Sequence, residues 1–163
     1  MDRFAHVIND VYKKYDIPRI FPVPLSDIAE ALGYGIFYFK VTPDNEHISG
    51  ATLYKEKKIL LNPDDSGRRR FFTLAHEIAH ILLKHDNEGT ETYDTRSDMK
   101  DPAKGSKEYE ANEFAAELLM PENDFRKAWS ENRGLANLSE FFGTSMDAVA
   151  TRLIKLGIDY VKY

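Results

Sequence analysis

The sequence predicts an α+β fold, mainly helical, with a small antiparallel sheet of three strands packed on one long helix. Three observations predict it. The strand-like segments GIFYFKV, ISGATLY and KKILLN come early and in succession, ahead of the strongest helices and not alternating with them. Residues 66–84 carry an apolar pattern at helical spacing around FFTLAHEIAHILL. KEYEANEFAAELLM is a second strong helix, and Pro121 stops it.

Taken in order, residues 3–15 form a helix whose face is Phe4, Val7, Ile8, Val11 and Tyr12. Pro18, Pro22 and Pro24 interrupt the chain, and Ser26 is positioned to cap a short helix, DIAEALGY, ending near Gly33. The three strands follow, rich in β-branched and aromatic residues, with the last two joined at the polar turn KEKK. Asn62, Pro63, Asp64 and Asp65 punctuate the chain before the long helix. Residues 86–107 are polar, contain Gly and Pro, and show no periodicity, so they read as a loop. Helical segments fill the remainder, with a turn at Gly143, Thr144 and Ser145. The expected division is a main domain over residues 1–128 and a C-terminal helical extension over residues 129–163 packed on it.

Composition narrows the function. Of 163 residues, 42% are hydrophobic and 30% charged, the balance of a globular chain. A net charge of −5 argues against a generally basic nucleic-acid binder. The absence of cysteine removes disulfides, thiolate nucleophiles and thiolate zinc sites. No apolar run is long enough for a membrane span, and the first residues lack the pattern of a secretory signal. A soluble cytoplasmic protein is the expectation.

The chemistry concentrates at residues 76–80. Positions i and i+4 of a helix share a face, so His76 and His80 present their imidazoles to one point. Zinc takes imidazole nitrogen in tetrahedral geometry, and one helical turn supplies two of the four ligands. Glu77 is rotated by about 100° from His76, beside the pair and not part of it. A carboxylate so placed can take a proton from a zinc-activated water, which is why H-E-x-x-H carries hydrolytic chemistry. Chance also produces this short pattern. The apolar setting weighs against chance, because two histidines and a glutamate buried among Phe, Leu and Ile are costly without partners.

A catalytic site needs a third protein ligand. On KEYEANEFAAELLM, with Glu110 set at 0°, Ala111, Phe114, Ala115 and Leu118 fall between about 40° and 140°, the buried arc. Glu110 stands at the edge of that arc and is the expected third ligand. Glu113 lies almost opposite and reads as a solvated charge. Glu117, near Glu110, is the alternative ligand or a group that orients one.

Two stretches then carry a family resemblance: ISGATLYKEKKILLNPDDSGRRRFFTLAHEIAHILLKH and YEANEFAAELLMP. Together they resemble the core of ImmA/IrrE-type metallopeptidases, from about residue 24 to residue 156. The resemblance implies a zincin-like fold and a cytoplasmic zinc (Zn2+) endopeptidase of the gluzincin kind. It implies metal ligands His76, His80 and Glu110, with Glu77 as the catalytic glutamate. It also implies a protein substrate, typically a helix-turn-helix transcriptional repressor of a phage, mobile element or stress regulon. The alternative is a non-hydrolytic module that antagonises a repressor by binding it.

The remaining candidates have plainer readings. His85 and Tyr93 are possible oxyanion donors, yet a surface histidine and a loop aromatic explain them as well. Arg68, Arg69 and Arg70 open the long helix against its dipole and are expected to be solvated or paired with Asp64 and Asp65. LANLSEFFGTSMDAVATRLIKLGI resembles a helix-turn-helix, but its second helix begins with one acid and one arginine. That is a poor footprint for DNA, so packing or repressor recognition is the expected role.

Overall fold

The computed structural model describes residues 3–85 and 91–160. The first helix, α1 (Ala5–Tyr15), buries Ile8, Val11 and Tyr12, with Phe4 just ahead of it. The second, α2 (Leu25–Ala31), starts after Pro24, so Ser26 lies inside its first turn and does not cap it.

Strands β1 (Gly35–Tyr38), β2 (Ile48–Leu53) and β3 (Lys58–Leu61) occur where expected. Their arrangement differs from the expected antiparallel sheet of three. β2 and β3 form an antiparallel hairpin, but β1 pairs with β3 in parallel. The reason is the crossover of residues 39–47, which carries the chain one position beyond β1. β3 then returns into the gap between β1 and β2. A fourth strand, β4 (Glu91–Thr95), adds antiparallel to β2, giving a mixed sheet in the order β1-β3-β2-β4. A short helix, α4 (Arg96–Lys100), follows directly. These two elements lie inside the segment read as a loop. Residues 86–90 of that segment lie outside the described residues.

The long helix is α3 (Gly67–Leu82), and Ser66 caps it by accepting the Arg69 N–H at 3.2 Å. Every residue from Thr73 to His80 is buried. A helix buried all round is enclosed by neighbours on every side. Here β2 and β3 cover one side and α5 (Lys107–Leu119) the other. Helices α6 (Glu122–Glu131), α7 (Leu135–Phe142) and α8 (Met146–Lys155) complete the described fold. α7 and α8 join through the expected turn, where Gly143 adopts a left-handed φ of 72°. Any side chain there would also meet Pro22, since a Cβ would lie 3.1 Å from its ring.

One apolar core runs through the whole molecule. Phe4 packs edge-on to Phe114 at 5.1 Å, and Phe125 stacks on Phe142 at 5.6 Å. Each fully buried Phe, Leu or Ile contributes about 1.5–3 kcal/mol. Two of the three arginines at the start of α3, Arg68 and Arg70, are more engaged than solvated charges. Arg68 donates to Ser139 Oγ and to the Thr144 carbonyl at 2.8 Å, fastening α3 to the α7–α8 turn. Arg70 donates to the carbonyls of Pro63 and Asp65.

Candidate metal centre

α3 carries His76, Glu77 and His80 into the middle of the fold, where all three are fully buried. The Nε2 atoms of the two histidines lie 3.1 Å apart, so both rings aim at one point. Two carboxylates complete the group: Asp94 from β4 and Glu108 from the first turn of α5. Asp94 Oδ1 is 3.4 Å from His76 Nε2, and its Oδ2 is 3.4 Å from His80 Nε2. Glu108 Oε1 is 3.2 Å from His80 Nε2. One ligand atom from each of the four residues lies within 4.8 Å of the others.

The outer contacts orient the rings. His76 Nδ1 sits 2.7 Å from Asn112 Oδ1, an acceptor, so Nδ1 carries the proton and Nε2 keeps its lone pair for the centre. Asn112 is itself fixed by donating to the Met99 carbonyl of α4 at 2.6 Å. His80 Nδ1 lies 2.7 Å from His85 Nδ1, and His85 Nε2 lies 2.8 Å from Glu110 Oε1. Glu110 can only accept from His85 Nε2–H. His85 Nδ1 therefore accepts from His80 Nδ1–H, which again frees a histidine Nε2. Arg3 closes the chain on Glu110 Oε2.

Two expectations are thereby corrected. Glu110 does not reach the centre; it stands two partners away, behind His85 and His80. Glu108 takes the inward place, because the buried arc of α5 has two edges and Glu108 stands at the other one. His85 is not a surface residue, since its side chain is 8% exposed and engaged at both nitrogens. Lys84, at a left-handed φ of 59°, turns the chain so that His85 folds back beneath His80. Glu117 also points elsewhere, into a buried ion pair with Arg152, whose Nε donates to the Met120 carbonyl at 3.0 Å. Glu113 faces Lys155 at 3.9 Å. Tyr93 is exposed and donates to Glu91, on the face of β4 opposite Asp94.

Asp94 escaped the sequence reading because its strand has no apolar alternation. The strand is ETYDT, and its inward residues are Thr92 and Asp94. Asp94 faces the polar centre and Thr92 meets the Tyr54 hydroxyl at 2.9 Å, so polarity here marks buried polar partners and not a loop.

The electrostatics identify what the centre lacks. Burial pushes the Glu77 carboxyl well above the usual carboxylate range, and the facing Asp94 charge adds to the shift. Burial also opposes the charge on Asp94, but contacts with Glu77, His76 and His80 outweigh it and hold Asp94 far below that range. Burial works against a charged His80, yet Asp94 and Glu108 raise it to about 9. Asp94 Oδ1 and Oδ2, Glu77 Oε1 and Glu108 Oε2 are buried without a hydrogen bond. Lone pairs buried this way are costly without a positive partner. No Lys or Arg side chain is ion-paired with Asp94, Glu77 or Glu108 among the described residues. A divalent cation is the partner that two imidazoles and hard carboxylate oxygens suit. The residues fit a metal.

Glu77 is set apart by a bond of its own: Thr52 of β2 donates to its Oε2. Gly50, on the same face of β2, makes room for it. A Cβ at Gly50 would come 2.6 Å from Thr73 Cγ2 and 3.2 Å from Glu77 Oε1.

No helix among the described residues is long and apolar enough to cross a membrane. No curated protein sequence matches the chain. Among solved structures it is similar to a Mycobacterium tuberculosis transcriptional regulator, with a TM-score of 0.58 and 17% identity over 94% of this chain. The match takes in 52% of that regulator, so this chain spans about half its length. At such identity the likeness is one of fold. The family model described as Peptidase M78, IrrE N-terminal-like domain, matches residues 29–154, a span that holds all of the centre and both motif segments. The chain belongs to that metallopeptidase family.

Proposed function

We propose that this chain is a zinc-dependent endopeptidase acting in the cytoplasm, and that its substrate is a helix-turn-helix repressor of a phage, mobile element or stress regulon. The observation that carries the reading is Glu77, a buried carboxylate next to His76 on α3 whose Oε1 has no hydrogen bond among the described residues. His76, His80 and Glu108 would hold the ion. A zinc ion held there supplies Lewis acidity, acidifying water and polarising a peptide carbonyl.

The chain's own residues supply the rest. Thr52 fixes one oxygen of Glu77 and leaves the other to accept a proton from the attacking water. The burial that raises the Glu77 pKa lets it hold that proton until the departing amine takes it. Asn112 and His85 keep both imidazoles presenting Nε2. A groove of about 560 Å³, lined by Thr73, Arg96, Met99 and Lys100 among others, ends one helical turn before Glu77 and offers a path for a peptide.

The C-terminal helices support repressor contact over DNA contact. The arginine in SMDAVATR is Arg152, which is buried against Glu117 and is no reader of DNA.

Glu77→Gln tests the mechanism. The expected result is unchanged zinc content with cleavage of a cognate repressor slowed by ~10²–10⁴-fold, read by intact mass. Cleavage at the parent rate would refute it. One observation favours the second reading, a non-hydrolytic repressor-binding module: the centre offers four protein donors, the number found in closed structural sites. A stable repressor complex without fragments, from a protein whose metal site has been opened, would establish that reading instead.

A further inference from the structure

We propose that Asp94 is a fourth metal ligand that fills the position an attacking water must take, so that this fold is the latent form of the peptidase. Lifting of strand β4 would then be the activating step. The inference rests on the metal centre and the peptidase reading above, and adds a means of regulation.

The first support is metric. Four ligands at the ~2.0–2.2 Å of zinc–nitrogen and zinc–oxygen bonds sit about 3.3–3.6 Å apart at the corners of a tetrahedron. Asp94 reaches the two histidines with different oxygens, Oδ1 3.4 Å from His76 Nε2 and Oδ2 3.4 Å from His80 Nε2, and Glu108 Oε1 lies 3.2 Å from His80 Nε2. Asp94 is thus about as near the histidine pair as Glu108 is, within reach of an ion that all four share.

The second support is that the side-chain partners of Asp94 all belong to the centre. A buried aspartate ordinarily caps a helix, closes a turn or pairs with a cation. Asp94 is fully buried, its side-chain contacts are with His76, His80 and Glu77, and among the described residues no backbone N–H, Lys or Arg bonds its oxygens.

The third support is a conflict within the site. Glu77 is placed to deprotonate a water, and the Asp94 carboxylate is in side-chain contact with it. A closed set of four protein ligands has no use for a base, and a base needs an open fourth position. Both residues make sense if Asp94 is bound in one state and withdrawn in another.

The fold gives Asp94 a way out. β4 is a five-residue strand at the sheet edge that, among the described residues, pairs with β2 alone, and its pairing is broken by a bulge between Ile48 and Gly50. Edge strands with few partners open at lower cost than interior ones. The segment is held shut on its C-terminal side by Arg96, which pairs with buried Asp65 and donates to the Glu46 carbonyl. The same α4 is clasped by Asn112 at the Met99 carbonyl, beside His76.

Cobalt(II)-loaded protein titrated with azide, and read by visible absorption, tests whether the fourth position is closed. The expected result is that the wild type ignores azide, whereas Asp94→Ala and Asp94→Asn bind it with a band shift. Their zinc affinity should fall by at least the ~10-fold that loss of an outer partner costs. The same variants should cleave repressor faster than the wild type, and the gain should vanish on adding Glu77→Gln. Arg96→Gln, which leaves all four donors in place, should give a partial gain. If the wild type takes azide as readily as Asp94→Ala, with equal zinc affinity, Asp94 is not a ligand and the latch is wrong, while the metal centre stands. If the variants bind azide but none cleaves repressor, the latch does not govern activity. Failure of every protein to bind one cobalt ion would overturn the metal centre itself.

Discussion

Two buried clusters of charge in this molecule are solved in opposite ways. At the junction of α5 and α8, Glu117 is paired with Arg152, and the guanidinium also satisfies the Met120 carbonyl. At the junction of α3, β4 and α5, Asp94, Glu77 and Glu108 gather around two histidines, and among the described residues no Lys or Arg is paired to them. Where the chain supplies its own cation, the cluster fastens helices together. Where it supplies only donors, the cluster selects a cation from outside. Both glutamates lie on α5 within three turns, so burial alone does not tell structure from site; the partner does.

The sharpest way to break the first cluster is Arg152→Ala. It removes the buried guanidinium from the Glu117 carboxylate, with an expected loss of about 3–5 kcal/mol in urea unfolding. Zinc stoichiometry of the folded fraction should not change. A loss of metal with stability intact would mean that the two clusters are not separate.

A smaller effect separates the two glutamates of the first turn. Glu110→Gln removes the charge behind His85 without touching the centre. Its zinc affinity, measured by chelator competition, should fall by ~10–100-fold, the usual cost of losing an outer partner. Glu108→Gln should fall further, because a ligand is lost. The reverse ranking would restore Glu110 as the ligand.

The ranking also marks what could be read from the sequence. His76, Glu77 and His80 were legible because helical periodicity settles which residues share a face. The choice of glutamate was not. Counting back two residues from Glu110 rotates by about 200°, which puts Glu108 just past Ala115 at the far edge of the same buried arc. A helical wheel has two such edges, and only the packing of α5 against α3 selects one. Strands β1 to β3 announced themselves by composition, whereas parallel pairing of β1 with β3 depends on a crossover that no local pattern encodes. β4 was missed because its inward side chains, Thr92 and Asp94, are polar and have polar partners in Tyr54 and the centre. His85 was misjudged because one left-handed residue, Lys84, redirects it.

The smallest effect is a matter of protons. His80 titrates at about 9, so below that pH it is protonated and a metal must displace the proton. Zinc affinity should therefore rise with pH up to about 9. At pH 7.5, calorimetric heats in buffers of different ionisation enthalpy should report net proton release. Heats independent of buffer would mean that His80 is already neutral and that its carboxylate neighbours do not act on it as the geometry requires.

The claim beneath all of these is that the α3 cluster takes its cation from outside. Native mass spectrometry of wild-type protein and of His80→Ala, each purified with zinc and then desalted, tests it directly. One zinc ion per wild-type chain and none on His80→Ala is the expected result. A folded wild-type chain that carries no zinc, or a His80→Ala variant that retains it, would contradict the claim.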